Sequence, residues 1–462
     1  MVDVEDHATQ HRLALEALIR AEIKAAGGQL SFDRFMELAL YAPGLGYYVA
    51  GATKLGAAGD FVTAPEISPL FGRCLAVSCR EVLTALEAHP MHSRSISPSI
   101  SRSISRSTSS SPSNRKAEAG TGTGNDHPNR AAINSHSAEP QPSGTVPSSG
   151  ADLLELGAGT GALAAELLAS LAEQGPLPDH YLILEPSPDL AERQRQTLSA
   201  RVPALLERCH WLDRLPAQFD GIVIANEVLD AMPVNRFQIG NEGQIQEVCV
   251  GIDRDHDSNG DSDGDSERFI DRLSESASPA LIQAVLALQS AGLATQPGYR
   301  SEINLRLAPW TQALGAMLGT GLILVIDYGY PRAEFYLAER DQGTLMCHSR
   351  HQAHADPYRD IGLQDLTAHV DFTALAEAGR CAGLDLAGYT TQANFLIGCG
   401  IDALIAEAAA TDPMAMLELT AGAKQLLLPS LMGERFQVLG LSKGLDELAL
   451  SGFSVRDLSA RL

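Results

Sequence analysis

The sequence predicts an α/β protein built on a mainly parallel, doubly wound sheet, and three observations predict it. Short apolar runs recur after residue 150, they alternate with helical patterns, and the first of them runs straight into a glycine loop that opens a helix. The 462 residues are ample for such a domain with an appended or inserted part.

From Leu13 to about Glu87 the period is mainly helical, with Leu13, Leu15, Leu18 and Ile19 opening one helix and Ser31 placed to N-cap a second. Between Tyr41 and Ser68, glycine and proline interrupt the pattern while aromatics persist, which reads as an ordered loop. Residues 89–150 collapse into Ser, Pro, Arg, Gly and Asn and are expected to be a disordered insertion. The sheet then begins: Ala151–Leu156 is a strand, Gly161 to about Glu173 a helix, Tyr181–Glu185 a strand, Ala191–Ala200 a helix, Arg208–Trp211 a weak strand and Gly221–Asn226 a fourth strand. The next strand, Gly321–Asp327, follows roughly ninety residues later, too far for a plain crossover. An inserted hairpin and helices over the carboxyl edge of the sheet are expected there. The organisation is thus 1–88 helical, 89–150 disordered, 151–234 first half of the core, 235–316 inserted with an acidic loop at 253–267, and 317–462 second half of the core.

Composition excludes several classes. No run approaches the eighteen or so apolar residues of a membrane span, and the acidic start Met1-Val2-Asp3-Val4-Glu5-Asp6 resembles neither a signal nor a transit peptide, so a cytoplasmic protein is expected. A net charge of −23 disfavours nucleic acid and favours cationic substrates. The seven cysteines form no Cys-x-x-Cys pair. The acidic loop Asp255–Ser266 imitates a calcium loop but ends in Ser266 where a bidentate Glu is required. Histidines 348, 351 and 354 lack well-spaced partners, so a mobile loop over the site is expected there and no metal.

Chemistry concentrates at the ends of strands. Glu155-x-Gly157-x-Gly159-x-Gly161 follows a strand and opens a helix, where glycines allow tight turning and close ligand approach. The alternating triplet with an acid two residues before it is the arrangement in which S-adenosylmethionine enzymes meet the amino-acid part of the cofactor. The spacing also admits a nicotinamide or flavin site. Glu185 ends the next strand, where a carboxylate accepts both ribose hydroxyls of either cofactor. Asn226, Glu227 and Asp230 reach the same sheet edge, where they could hold a cationic nucleophile in line with an activated methyl, or simply be solvated or capping groups.

Separated segments complete the picture: Phe35-Met36-x-x-Ala39-Leu40-Tyr41 with Pro43 and Gly46-Tyr47-Tyr48; Gly59-Asp60-Phe61-x-Thr63-Ala64-Pro65-Glu66-Ile67-Ser68; the glycine loop; Ala225-Asn226-Glu227 with Asp230; Ile326-Asp327-Tyr328-Gly329; Thr367–Phe372; and Thr391-Gln392 with Phe395-Leu396. In this order they resemble the MidA family across nearly the whole chain outside the two low-complexity insertions. The resemblance implies a Rossmann-like class I methyltransferase core with a mainly parallel seven-stranded sheet, an N-terminal helical region and an inserted helical region covering the substrate. It places Thr63, Pro65 and Glu66 beside S-adenosyl-L-methionine, together with Glu155, Gly157, Gly159, Gly161, Glu185 and Asn226. Mitochondrial members act as a complex I assembly factor and protein arginine methyltransferase, which implies a protein partner with an accessible arginine. A guanidinium, with a pKa above about 12, must be desolvated and gripped by carboxylates before it can react. Glu227 and then Asp230 are the expected catalytic residues, with Glu66, Glu302 and Asp371 as outer candidates.

Overall fold

The computed structural model describes residues 2–49, 62–88, 150–254, 267–349, 352–411, 413–445 and 448–462. The Ser-rich stretch 89–149, most of the acidic loop, Gly59-Asp60-Phe61 and His351 lie outside them, and so do the expectations placed there.

The N-terminal region comprises α1 (Val2–Ala25), β1 (Gln29–Ser31), α2 (Phe32–Tyr41), the single turn α3 (Ala64–Ile67) and α4 (Pro69–Ala88). Ser31 occupies the N-cap of α2 as expected, but its hydroxyl donates to Asp33 Oδ1 at 2.6 Å instead of capping the helix. The core follows as β2 (Asp152–Leu156), α5 (Ala162–Gln174), β3 (Tyr181–Leu184), α6 (Pro188–Arg201), β4 (Cys209–Leu212) and β5 (Phe219–Asn226). After it come β6 (Asn235–Ile239), β7 (Ile245–Arg254), β8 (Glu267–Ser274), α7 (Pro279–Ser290) and β9 (Arg300–Ile303). The core resumes with α8 (Leu307–Met317) and β10 (Leu318–Tyr330). Next lie the turn α9 (Arg332–Phe335) and the short strands β11 (Met346–Ser349), β12 (Gln352–His354), β13 (Asp365–Thr367) and β14 (Val370–Asp371). Helix α10 (Phe372–Cys381), β15 (Asp385–Thr391), α11 (Gln392–Gly398), α12 (Ile401–Thr411), α13 (Pro413–Leu427) and β16 (Phe436–Lys443) close the chain.

The main sheet runs β15-β16-β10-β5-β2-β3-β4, with the two-residue β14 added beside β10. Every pairing from β10 to β4 is parallel, whereas β16 is antiparallel to both its neighbours. Buried strands read as continuous apolar runs whose alternate residues serve opposite faces. Leu153, Ile222, Ile224, Leu322 and Leu324 enter the core beneath α4 and α5, while Leu154, Val223, Ala225, Ile323 and Val325 enter the core beneath α8 and α10. Helix α4 therefore covers one face of the sheet and is more than an appendage.

The inserted segment differs from a helical cover. A hairpin is present, but it belongs to a five-stranded antiparallel sheet of β1, β7, β6 and β9 with β8 paired to β7, with α7 packed on one face and α1 and α2 on the other. The run Val248-Cys249-Val250-Gly251 is buried throughout between flanking strands, which suits a strand covered on both faces. The histidine-bearing stretch is likewise no open loop: His348 and His354 lie on the antiparallel pair β11–β12.

Candidate functional site

The carboxyl edge of the main sheet carries a cavity of about 270 Å³, and its walls come from three strand ends, those of β2, β3 and β5, and from the N-terminal region. Ligands of open α/β sheets bind at this edge. After β2 the chain turns through Gly157 and Gly159, at φ 64° and 52°, before Gly161 caps α5 at φ 80°. Gly157 and Gly159 line the cavity. Gly161 does not, and its requirement is packing: a Cβ there would lie 3.2 Å from Gln194 Cα on α6.

Glu155, at the end of β2, is buried and lines the cavity floor. Burial lifts its carboxyl to about 7, against the hydrogen bond donated by Tyr181 Oη at 2.7 Å, and the nearby Glu185 adds to the rise. Glu185 lies just beyond β3. It accepts from Ser187 N at 2.9 Å and from Gln194 Nε2 at 2.8 Å, and burial raises its pKa.

Beyond β5 the backbone takes a left-handed turn at Glu227, φ 52°, a conformation uncommon for a residue with a side chain. Glu227 Oε1 receives Ala64 N at 3.3 Å and Asn226 Nδ2 at 3.3 Å, which joins α3 of the N-terminal region to the sheet edge. Thr63, Pro65 and Glu66 thereby join the same cavity wall. Burial, then the charge of Asp230, pushes Glu227 up to about 8. Asn226 Oδ1 is buried with no hydrogen-bond partner among the described residues, a vacant acceptor beside the cavity.

Asp230 is placed behind the lining and not in it. Its carboxylate takes the hydroxyl of Tyr328 and Ala231 N at 2.9 Å, and burial raises it to about 6. Asp327 lies deeper and accepts Leu229 N at 2.9 Å and Asp230 N at 3.2 Å, so it fixes the turn that carries Glu227. Burial and the neighbouring acids drive its pKa well up. The outer candidates separate. Glu66 faces the sheet-edge cavity, whereas Glu302 and Asp371 line another, of about 50 Å³, in which Glu302 accepts Thr344 N and Asp371 pairs with Arg332. Tyr41, Tyr48, Trp310, Pro186 and Leu190, which carry no site signal in the sequence, also line the sheet-edge cavity. The two tyrosines belong to one of the family-like segments, but nothing local says that residues near position 45 reach the sheet edge.

These features suit a nucleoside cofactor with a charged tail. A carboxylate after β3 matches a ribose, the turn after β2 exposes backbone, and a cluster of acids under tension from burial favours a cation. The antiparallel β16 between β10 and β15 departs from the all-parallel dinucleotide order. Fold and site together define a class I S-adenosyl-L-methionine-dependent methyltransferase. The family model described as S-adenosyl-L-methionine-dependent methyltransferase matches residues 138–390, and the chain belongs to that family, the MidA-like methyltransferases. A Burkholderia thailandensis protein described as a candidate methyl transferase, solved with S-adenosyl-homocysteine bound, is 39% identical over 99% of this chain and 98% of its own, with a TM-score of 0.77. The protein arginine methyltransferase NDUFAF7, mitochondrial, of Danio rerio is 27% identical over 89% of this chain and 83% of its own length. The human protein of the same name is 26% identical over 90% of this chain and 80% of its own. Among the described residues no helix is long and apolar enough to cross a membrane, and no group of His, Cys, Asp and Glu is arranged to hold a metal ion.

Proposed function

We propose that this methyltransferase transfers its methyl group to an arginine nitrogen of a protein, a subunit of a complex I type dehydrogenase or its bacterial counterpart. The observation that carries the reading is Glu227, an acid on the cavity wall with its pKa raised to about 8 and two further buried acids behind it. A site that holds carboxyls partly protonated for want of a countercharge is suited to receive a cation, because binding one restores their ionised form. The names of the relatives, protein arginine methyltransferase, support the same direction.

The residues divide the work. Glu185 is positioned to accept ribose hydroxyls, and Asn226 Oδ1 and the backbone of Gly157 and Gly159 to meet the polar tail of the cofactor. Bound S-adenosyl-L-methionine supplies an electrophilic methyl on a sulfonium. Glu227 grips the guanidinium and orients one nitrogen along the line of attack. Methyl transfer to that nitrogen would leave the bonding pair on sulfur and release one proton, which ionised Glu227 on the same wall would accept. Asp327 and the Asp230–Tyr328 pair act one step back, by holding the Glu227 turn.

Glu227→Ala tests the assignment. The variant is expected to bind S-adenosyl-homocysteine as before and to lose the methylation that mass spectrometry detects on dehydrogenase subunits. Full support of the dehydrogenase by this variant would make the protein an assembly factor acting by contact. An identical arginine methylation pattern in cells with and without the gene would remove the proposed substrate.

A further inference from the structure

With the glycine loop, Glu185 and their apolar neighbours allotted to the cofactor, the wall that remains includes Tyr41, Tyr48, Glu66, Glu227 and Ala231. The two tyrosines are unusually constrained. Their rings stack with centroids 5.6 Å apart and planes 19° apart, and Tyr47 closes the edge of Tyr48 at 5.2 Å. Tyr41 Oη donates to Ala231 O at 3.0 Å, and Tyr48 Oη donates to both oxygens of buried Asp365 at 3.0 and 2.9 Å. With both hydroxyls occupied elsewhere, what these residues offer the cavity is ring surface. Aromatic ring faces carry negative charge density and attract cations, and a planar guanidinium can also stack on them, which a compact, strongly hydrated ammonium cannot. Glu227, on the same cavity, supplies the formal countercharge.

We propose that Tyr41 and Tyr48 form an aromatic shelf that carries the guanidinium of the incoming arginine and selects it over a lysine ammonium. The inference rests on the arginine reading above and adds the specificity element to it. The shelf is brought to the sheet edge by the N-terminal region, so that region is part of the substrate site as well as the cofactor site.

Nα-acetyl-arginine amide and Nα-acetyl-lysine amide are titrated into the protein saturated with S-adenosyl-homocysteine, with binding followed by saturation-transfer NMR. The wild type is expected to prefer the arginine probe. Tyr41→Leu should weaken that probe about 3- to 30-fold, the span of a cation–π contact, and leave S-adenosyl-homocysteine affinity in place. Tyr41→Phe, which keeps the ring and loses only the bond to Ala231, should restore most of the binding. Equal arginine-probe affinity in wild type and Tyr41→Leu overturns the shelf and leaves the arginine reading standing. Equal affinity of the wild type for both probes overturns the selectivity. A wild type that binds S-adenosyl-homocysteine but neither probe overturns the arginine reading itself. Should Tyr41→Leu lose S-adenosyl-homocysteine too, Tyr48→Leu provides the same comparison.

Discussion

Glu185 is set in place before any ligand arrives. Gln194, which donates to it at 2.8 Å, is itself held by Trp211 Nε1 at 2.9 Å, so the carboxylate loses little freedom on meeting two hydroxyls. Glu185→Ala should weaken S-adenosyl-homocysteine about 10- to 100-fold by calorimetry, the scale of a hydrogen bond or two to a charged group. An unchanged affinity would place the ribose elsewhere. Glu227 makes a separate prediction through pH. Its folded pKa, about 8, exceeds the ordinary 4.5, so the folded ligand-free protein binds the proton more tightly than the unfolded chain. The stability it contributes is full below 4.5 and is lost as pH rises through about 8. Between about pH 6 and about pH 9 the wild-type melting temperature should therefore fall more than that of Glu227→Gln, whose amide does not titrate. Equal slopes would show that Glu227 is ordinarily ionised in the free protein.

The antiparallel sheet of the insert gathers three partners on one acid, beside its contact with the N-terminal region. Asp271 on β8 takes Arg236 at 2.9 Å, Arg300 at 2.6 Å and Tyr358 Oη at 2.6 Å, and Arg236 lies over the Phe32 ring of α2 at 4.8 Å. The Arg236 side chain is only 8% exposed, so removal of its partner leaves a nearly buried charge. Asp271→Ala should cost about 2–3 kcal/mol in urea unfolding, somewhat under the range for a fully buried pair because Asp271 keeps some solvent. A cost near zero would mean that the Arg236 charge is met by other groups once Asp271 is gone. At this scale the sequence is unevenly legible. Strands of the main sheet are apolar runs between turn signals and stand out. The insert sheet does not, because β1 has three residues and is completed only by pairing with β7, more than two hundred residues away.

For the whole molecule, the cofactor assignment predicts a stability increment by mass action. S-adenosyl-homocysteine at a hundred times its Kd should add about 2.7 kcal/mol and raise the melting temperature, whereas NAD should leave it unchanged. A matching shift with NAD would return the glycine loop to the dinucleotide reading. What the sequence alone determined follows from local rules: the strand runs, the left-handed glycines 157 and 159, and an acid just after β3 are legible because backbone conformation and side-chain period depend on near neighbours. Only the tertiary structure decided the rest. It drew Gly161 off the cavity and onto α6, set Asp230 behind Glu227, and sent Glu302 and Asp371 to a different cavity. It also brought Tyr41 against Ala231, across 190 positions of chain. Such placements are fixed by which buried surfaces close on one another, and that closure depends on strand register and core packing over the full chain, not on any segment read by itself.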